Sequence, residues 1–145
     1  MLRGVLVVAA CALGATAVLA QQDPIAARKA LMKANGDQAK IGAAMAKGQA
    51  PFDLEKAQQI FATFSDSAGK VGALFPENSK TGGDTAALPK IWETPDDFKA
   101  KLAKFGADTK AAQASVKDFD SFKAAFGTVG KDCGGCHESY RVKKT

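Results

Sequence analysis

The sequence predicts an all-α fold, an antiparallel four-helix bundle, on three observations. Four stretches place apolar residues at spacings of three and four. No stretch alternates in the manner of a half-buried strand. The links between the first and second stretches, and between the third and fourth, are short enough to make antiparallel neighbours. The chain has 145 residues, a length that suits one domain.

Residues 1–20 stand apart from that domain. Arg3 is followed by an uncharged apolar run over residues 5–19, closing on Val18-Leu19-Ala20 before the polar Gln21-Gln22-Asp23. A short positive start, an apolar centre and small residues at the end make a secretory signal peptide, with cleavage expected after Ala20. The run falls short of the ~20 residues that a membrane anchor needs. Cys11 leaves with it, since the apolar run before it is too short for a lipoprotein leader. The exported domain, 21–145, then keeps two cysteines (Cys133 and Cys136), one histidine (His137) and two methionines (Met32 and Met45). Few of its residues can bind a metal.

The first helix is expected over residues 24–47, capped by Asp23 with Pro24 in its first turn. Ile25, Arg28, Met32, Asn35 and Ala39 share one face. Gly36 and Gly42 weaken it, and mark either the close approach of a helix or flat ligand or nothing at all. The second helix starts after Pro51-Phe52 with Asp53 as its cap. Ala57, Ile60, Phe61, Phe64, Ala68 and Val71 form its stripe. Residues 75–93 read as a long loop, with Pro76, Gly82-Gly83 and Pro89. Ile91 and Trp92 argue that it is ordered, because large apolar side chains find cover. The third helix opens on Thr94-Pro95-Asp96-Asp97, a start resembling a capping box, and carries Phe98, Leu102, Phe105, Thr109 and Ala112. The fourth starts after Asp118. Its stripe runs through Phe119, Phe122, Phe126, Val129, Cys133, Cys136 and Tyr140, although Gly127, Gly130, Gly134 and Gly135 lower its helicity. Packing or a covalent ligand must hold that last part.

Cys133-Gly134-Gly135-Cys136-His137 is a C-x-x-C-H pattern, the attachment signature of c-type haem. Two thiols add to the two vinyl groups of the macrocycle, and the adjacent histidine reaches the iron from one face. A neutral imidazole binds through one ring nitrogen and donates from the other. Three other chemistries compete. A thioredoxin-like motif needs a preceding strand and a sheet. A zinc centre needs ligands that the domain does not hold elsewhere. A disulfide between Cys133 and Cys136 fits an oxidising compartment but closes only a small loop. Met32 and Met45 are the two thioether candidates for a sixth iron ligand. On a helix turning about 100° per residue they sit roughly 140° apart, so both cannot face one iron. Met32 lies on the stripe with Ile25 and Asn35. It reads as an iron ligand or as a flexible core filler.

These residues together resemble the class II cytochromes c, the cytochrome c-prime family, in which C-x-x-C-H lies near the C-terminus of a four-helix bundle. The resemblance spans nearly the whole exported domain. It rests on Arg28 in the first helix, on Lys47-Gly48-Gln49-Ala50-Pro51-Phe52-Asp53, on Thr81-Gly82-Gly83-Asp84 with Pro89-Lys90-Ile91-Trp92, and on Cys133 through Arg141. It implies one covalent haem c on Cys133 and Cys136, with His137 as an iron ligand. It implies Arg28 against the haem propionates, Asp84 near the cofactor, and Arg141 one turn after the histidine. It also implies that the sixth position, four residues after the arginine, is Met32. Members with Leu, Phe or Tyr there are five-coordinate, and members with Met there are low-spin electron carriers.

The expected function is therefore that of a periplasmic electron carrier and not of an enzyme, for no second histidine or distal acid–base pair is present. A gas-binding cytochrome with an open sixth position is the first rival. A non-haem helical adaptor with a surface disulfide is the second. The formal charge is +5, but the lysines are spread over all four helices, which argues against nucleic acid. Lys131, Arg141, Lys143 and Lys144 suit the steering of an acidic redox partner. No membrane insertion is expected once the leader is gone. The resemblance also implies a homodimer through the first two helices.

Overall fold

The structure, a computed structural model, describes residues 23–143, so the expected leader, Cys11 and Lys144 lie outside the described residues. Helix α1 spans Pro24–Ala46 and α2 spans Leu54–Val71. A one-turn α3, Lys90–Glu93, leads into α4, Pro95–Ser115, and α5 is Phe119–Tyr140. Short 3-10 turns at Gly72–Leu74 and Glu77–Ser79 give the long loop its shape. Among the described residues no sheet forms; the one bridge pairs Ala87 with Arg141.

The helix starts follow local chemistry. The Asp23 carboxylate accepts the Ile25 N–H at 2.9 Å, and Asp53 accepts that of Lys56 at 3.0 Å. Asp118 and Ser121 form a reciprocal capping box at the head of α5. The expected box at Thr94 does not form. The Thr94 hydroxyl instead lies within reach of the Lys90 carbonyl and the Tyr140 hydroxyl and donates its one proton to either, because α3 directly abuts α4 and supplies a nearer acceptor. Gly48, at φ 70°, takes the left-handed position that ends α1, and its N–H donates to the Met45 carbonyl.

The four long helices form an antiparallel bundle in the spatial order α1, α2, α4, α5, with the most extensive packing between α2 and α4 and the least between α5 and α1. Phe75 lies on Phe98 and Phe64 on Phe105, so α2 and α4 run in opposite directions. The expected α2 stripe is the core: Ala57, Ile60, Phe61, Phe64 and Val71 are buried. Phe122 is fully buried and touches the rings of Phe52, Phe61 and Phe126. At this end α1 and α5 meet closely. A Cβ on Gly42 would lie 2.3 Å from the Phe126 ring, so the glycine is required by the approach of a helix.

Toward the other end the α1–α5 seam opens. The long loop folds over that opening and is tied to both flanking helices. Leu88 N–H donates to the Tyr140 carbonyl, and Val142 N–H to that of Ala86. The indole of Trp92 donates to the Phe75 carbonyl at 2.9 Å. Phe75, Trp92, Phe98 and Tyr140 make a second aromatic group beneath the loop.

Candidate functional site

The opening between α1 and α5 is a slot made of two adjoining cavities, of about 170 and 210 Å³. Met32, Val71, Leu102, Cys136, His137 and Arg141 line both, so the cavities share one wall. The loop end of the slot is completed by Arg28, Thr85 and Tyr140, and the inner end by Asn35, Phe64 and Phe105.

Helix α5 remains helical through Gly134 and Gly135. Cys133 and Cys136 therefore stand one turn apart on one face, the geometry of an i, i+3 pair. Both are free thiols, half-buried against the slot. Burial pushes the Cys133 thiol up, and the Asp132 carboxylate adds to that. Burial likewise raises Cys136, opposed by Lys101 and reinforced by Asp97. Burial is also the main cause that depresses His137, and the positive Arg141 one turn away acts in the same direction. The imidazole is thereby held toward its neutral, ligating form.

Met32 lines both cavities from α1 with 36% of its surface exposed, whereas Met45 is 1% exposed in the phenylalanine core. The half-turn between them leaves one thioether on the slot and one out of its reach. Gly36, one turn after Met32, also faces the slot, and a Cβ there would meet nothing within 4 Å. The two glycines of α1 thus have different surroundings, one under a helix and one under the slot.

Arg28 is 95% buried, being 5% exposed. Its Nη1 donates to the Leu74 carbonyl at 3.0 Å and to the Ser79 hydroxyl at 2.9 Å. Its Nη2 donates to the Ser79 carbonyl at 3.0 Å and to the Thr85 hydroxyl at 2.6 Å. The guanidinium also lies 4.8 Å from the centre of the Phe75 ring. Burial lowers its pKa, partly offset by Asp23. All four terminal N–H bonds are thus committed to the loop, and Nε–H remains for any other acceptor. Asp84 does not line the slot. Its exposed carboxylate pairs with Lys29 at 2.7 Å, while Lys29 and Thr85 line the loop end. Arg141 caps α5, its N–H donating to the His137 carbonyl, and its side chain lines both cavities.

The sequence placed Asn35 and Tyr140 on the inward stripes without showing their polar partners, and gave no signal for Asp132. Tyr140 donates its hydroxyl to Asp97 and pairs with Thr94, joining the end of α5 to the start of α4. Asn35 donates to Ser67 and leaves Oδ1 buried without a partner. Asp132, next to Cys133, has the same condition at Oδ2. Polar residues of this kind on an amphipathic helix ordinarily read as solvated.

Among the described residues, no group of three or more His, Cys, Asp or Glu side chains is arranged to hold a metal ion. The all-α fold removes the thioredoxin-like reading. A flat macrocycle fits better. The slot is mostly apolar, it offers two thiols one turn apart, it has a neutral imidazole beside them, and it meets a bare glycine backbone on the facing helix.

Comparison with known proteins agrees. Residues 23–141 match the family described as Cytochrome C′. The chain is 48% identical to a cytochrome c′ of Rhodopseudomonas palustris, covering 92% of this chain and 91% of that one. It is 44% identical to a cytochrome c-556 of Agrobacterium tumefaciens, covering 81% and 95%. The solved structure of R. palustris cytochrome c′ superposes with a TM-score of 0.82 at 49% identity, covering 86% of this chain and all of that one. An NMR-validated structure of oxidised R. palustris cytochrome c556 gives 0.78 at 33% identity, covering 86% and 100%. The fold, the two thiols beside a histidine and these likenesses coincide on one assignment: the chain belongs to the cytochrome c′ family of haem c proteins.

Proposed function

We propose that the protein is a periplasmic electron carrier, with one haem covalently held by Cys133 and Cys136 and its iron ligated by His137 and Met32. The observation that carries this reading is that Met32 and His137, from helices α1 and α5, line the same slot as the two thiols. Met45, the other methionine of the described residues, is sealed in the core. When bound, haem supplies a one-electron couple, and a thioether opposite an imidazole raises its potential. The chain's own part is positional. Helix α5 fixes the thiols and imidazole on one rigid element, α1 presents the thioether, and the apolar lining of Val71, Leu102 and Phe105 would exclude water from a bound ring. The relatives are cytochromes, which supports a carrier rather than an enzyme.

The periplasmic setting is supported by the leader-like residues 1–20 and by a covalent haem attachment motif. No helix among the described residues is long and apolar enough to cross a membrane. Arg28 is proposed to reach a haem carboxylate only through Nε, since its other donors are engaged, and Asp84 to act through Lys29. Lys131, Arg141 and Lys143 are exposed around the end of α5 and suit an acidic redox partner.

A second reading is gas binding, with Met32 displaced from the iron by the gas. Visible spectra of the oxidised and reduced protein, with and without carbon monoxide, decide between them. Split low-spin bands, a far-red methionine–iron band in the oxidised form and indifference to the gas are expected. Broad high-spin bands that shift with carbon monoxide would remove Met32 as a ligand.

A further inference from the structure

Asp132 is the buried carboxylate that the electron-carrier reading leaves unused. Its side chain is 7% exposed, although its helix neighbours Lys131 and Glu138 are exposed. Oδ1 accepts from Lys104 Nζ at 2.6 Å, across from α5 to α4. Oδ2 is buried with no partner, and the residue lines the inner end of the slot beside Cys133 and His137. A buried polar oxygen without a donor is costly and calls for a reason.

The charge does not cancel locally. Lys104 also binds Asp108, so one ammonium, itself 60% exposed, serves two carboxylates. Asp132 is the acidic side chain lining the inner cavity, which Lys101 and Arg141 also line. Haem brings carboxylates and a hydrocarbon rim, and no donor that would satisfy Oδ2.

We infer that Asp132, held by Lys104, is a positioning residue for charge that sets the iron's reduction potential. The inference rests on haem being bound in this slot. The couple transfers one electron with no bond made or broken, and its oxidised form carries one more positive charge. A fixed carboxylate in a poorly screened site favours that form and lowers the potential. Lys104 works against it and sets how much of the charge is felt.

The test is the midpoint potential of the haem-loaded protein in Asp132→Asn and Lys104→Met, with unfolding midpoints measured alongside. Asp132→Asn keeps shape and is expected to raise the potential. Lys104→Met leaves the carboxylate unpaired and is expected to lower it. Opposite signs distinguish electrostatic tuning from a structural tie, which would lower both unfolding midpoints and leave both potentials in place. An unchanged or lowered potential in Asp132→Asn overturns the inference. Should that variant fail to take up haem, Lys104→Met decides alone: a fall supports the inference, and no change or a rise overturns it. The wild-type spectrum is read first. A five-coordinate wild type would refute Met32 as a ligand while still having an iron couple on which both signs can be measured.

Discussion

The two aromatic groups of the bundle flank the slot and are built on different principles. At the closed end, Phe61 and Phe122 are fully buried, Phe52 and Phe126 are packed against them, and the contacts are ring on ring. At the loop end, Phe75, Trp92, Phe98 and Tyr140 stack in T-shaped pairs that are pinned by polar ties. The Trp92 indole bonds to Phe75, the Tyr140 hydroxyl to Asp97 and Thr94, and the Arg28 guanidinium to the loop. The closed end is a non-directional hydrophobic core. The loop end is a directional network in which a misplaced donor would open the mouth of the slot. A rigid α5 needs the first, and a correctly placed Met32 needs the second, because Arg28 lies one turn before it on α1.

The largest expected effect is at the closed end. Phe122→Ala removes a ring that contacts three others at 0% exposure, and should cost about 3–5 kcal/mol of unfolding free energy in urea. A loss under about 1 kcal/mol would mean that the slot, not the phenylalanine cluster, organises the bundle.

The next breaks the loop network. Arg28→Lys keeps the charge and loses the fork, and should cost about 2–3 kcal/mol, on the scale of hydrogen bonds to charged groups. Amide exchange should quicken more across residues 75–88 than in α2. Thr85→Val should reproduce a smaller share of the same pattern. If Arg28→Lys leaves loop exchange as it was, the Arg28 clamp is not what holds the loop.

The contrast also shows what could be read from the sequence. The closed end was legible because helix periodicity records burial: the α2 stripe from Ala57 to Val71 is the core that forms. The attachment motif was legible because its spacing is covalent chemistry. The loop end was not, because its order comes from contacts across 46 to 57 positions, such as Arg28 with Leu74 and Thr85. Thr94 shows the same limit at short range. Its sequence context suggests a cap, yet the acceptors offered by α3 and Tyr140 win. Asp132 was silent for a related reason, since nothing local distinguishes an inward carboxylate from a solvated one.

The two glycines of α1 sharpen the comparison within one helix. Gly42→Ala would drive a methyl into the Phe126 ring, at a cost of about 1–3 kcal/mol. Gly36→Ala has open space and should gain up to about 1 kcal/mol from helix propensity. Thermal unfolding of both variants tests the pair. A loss at Gly36 in the haem-loaded protein would show that the bound ring reaches that backbone.

The smallest effect belongs to the start of α5, on which the closed end depends for its register. The Ser121 hydroxyl, and then its backbone N–H, hold the Asp118 carboxyl below the usual carboxylate range, with the charge of Lys117 contributing less. A carboxylate whose folded pKa is depressed adds stability that is fully present above its unfolded value, about 3.9. That contribution fades as pH falls through the lower folded value, because the unfolded chain takes up the proton first. Asp118→Asn keeps an acceptor for the cap and loses the titration. The melting temperatures of wild type and Asp118→Asn should therefore differ most near pH 7, with wild type higher, and converge as the pH approaches 2. A constant gap across that range would mean that the cap depends on shape and not on charge.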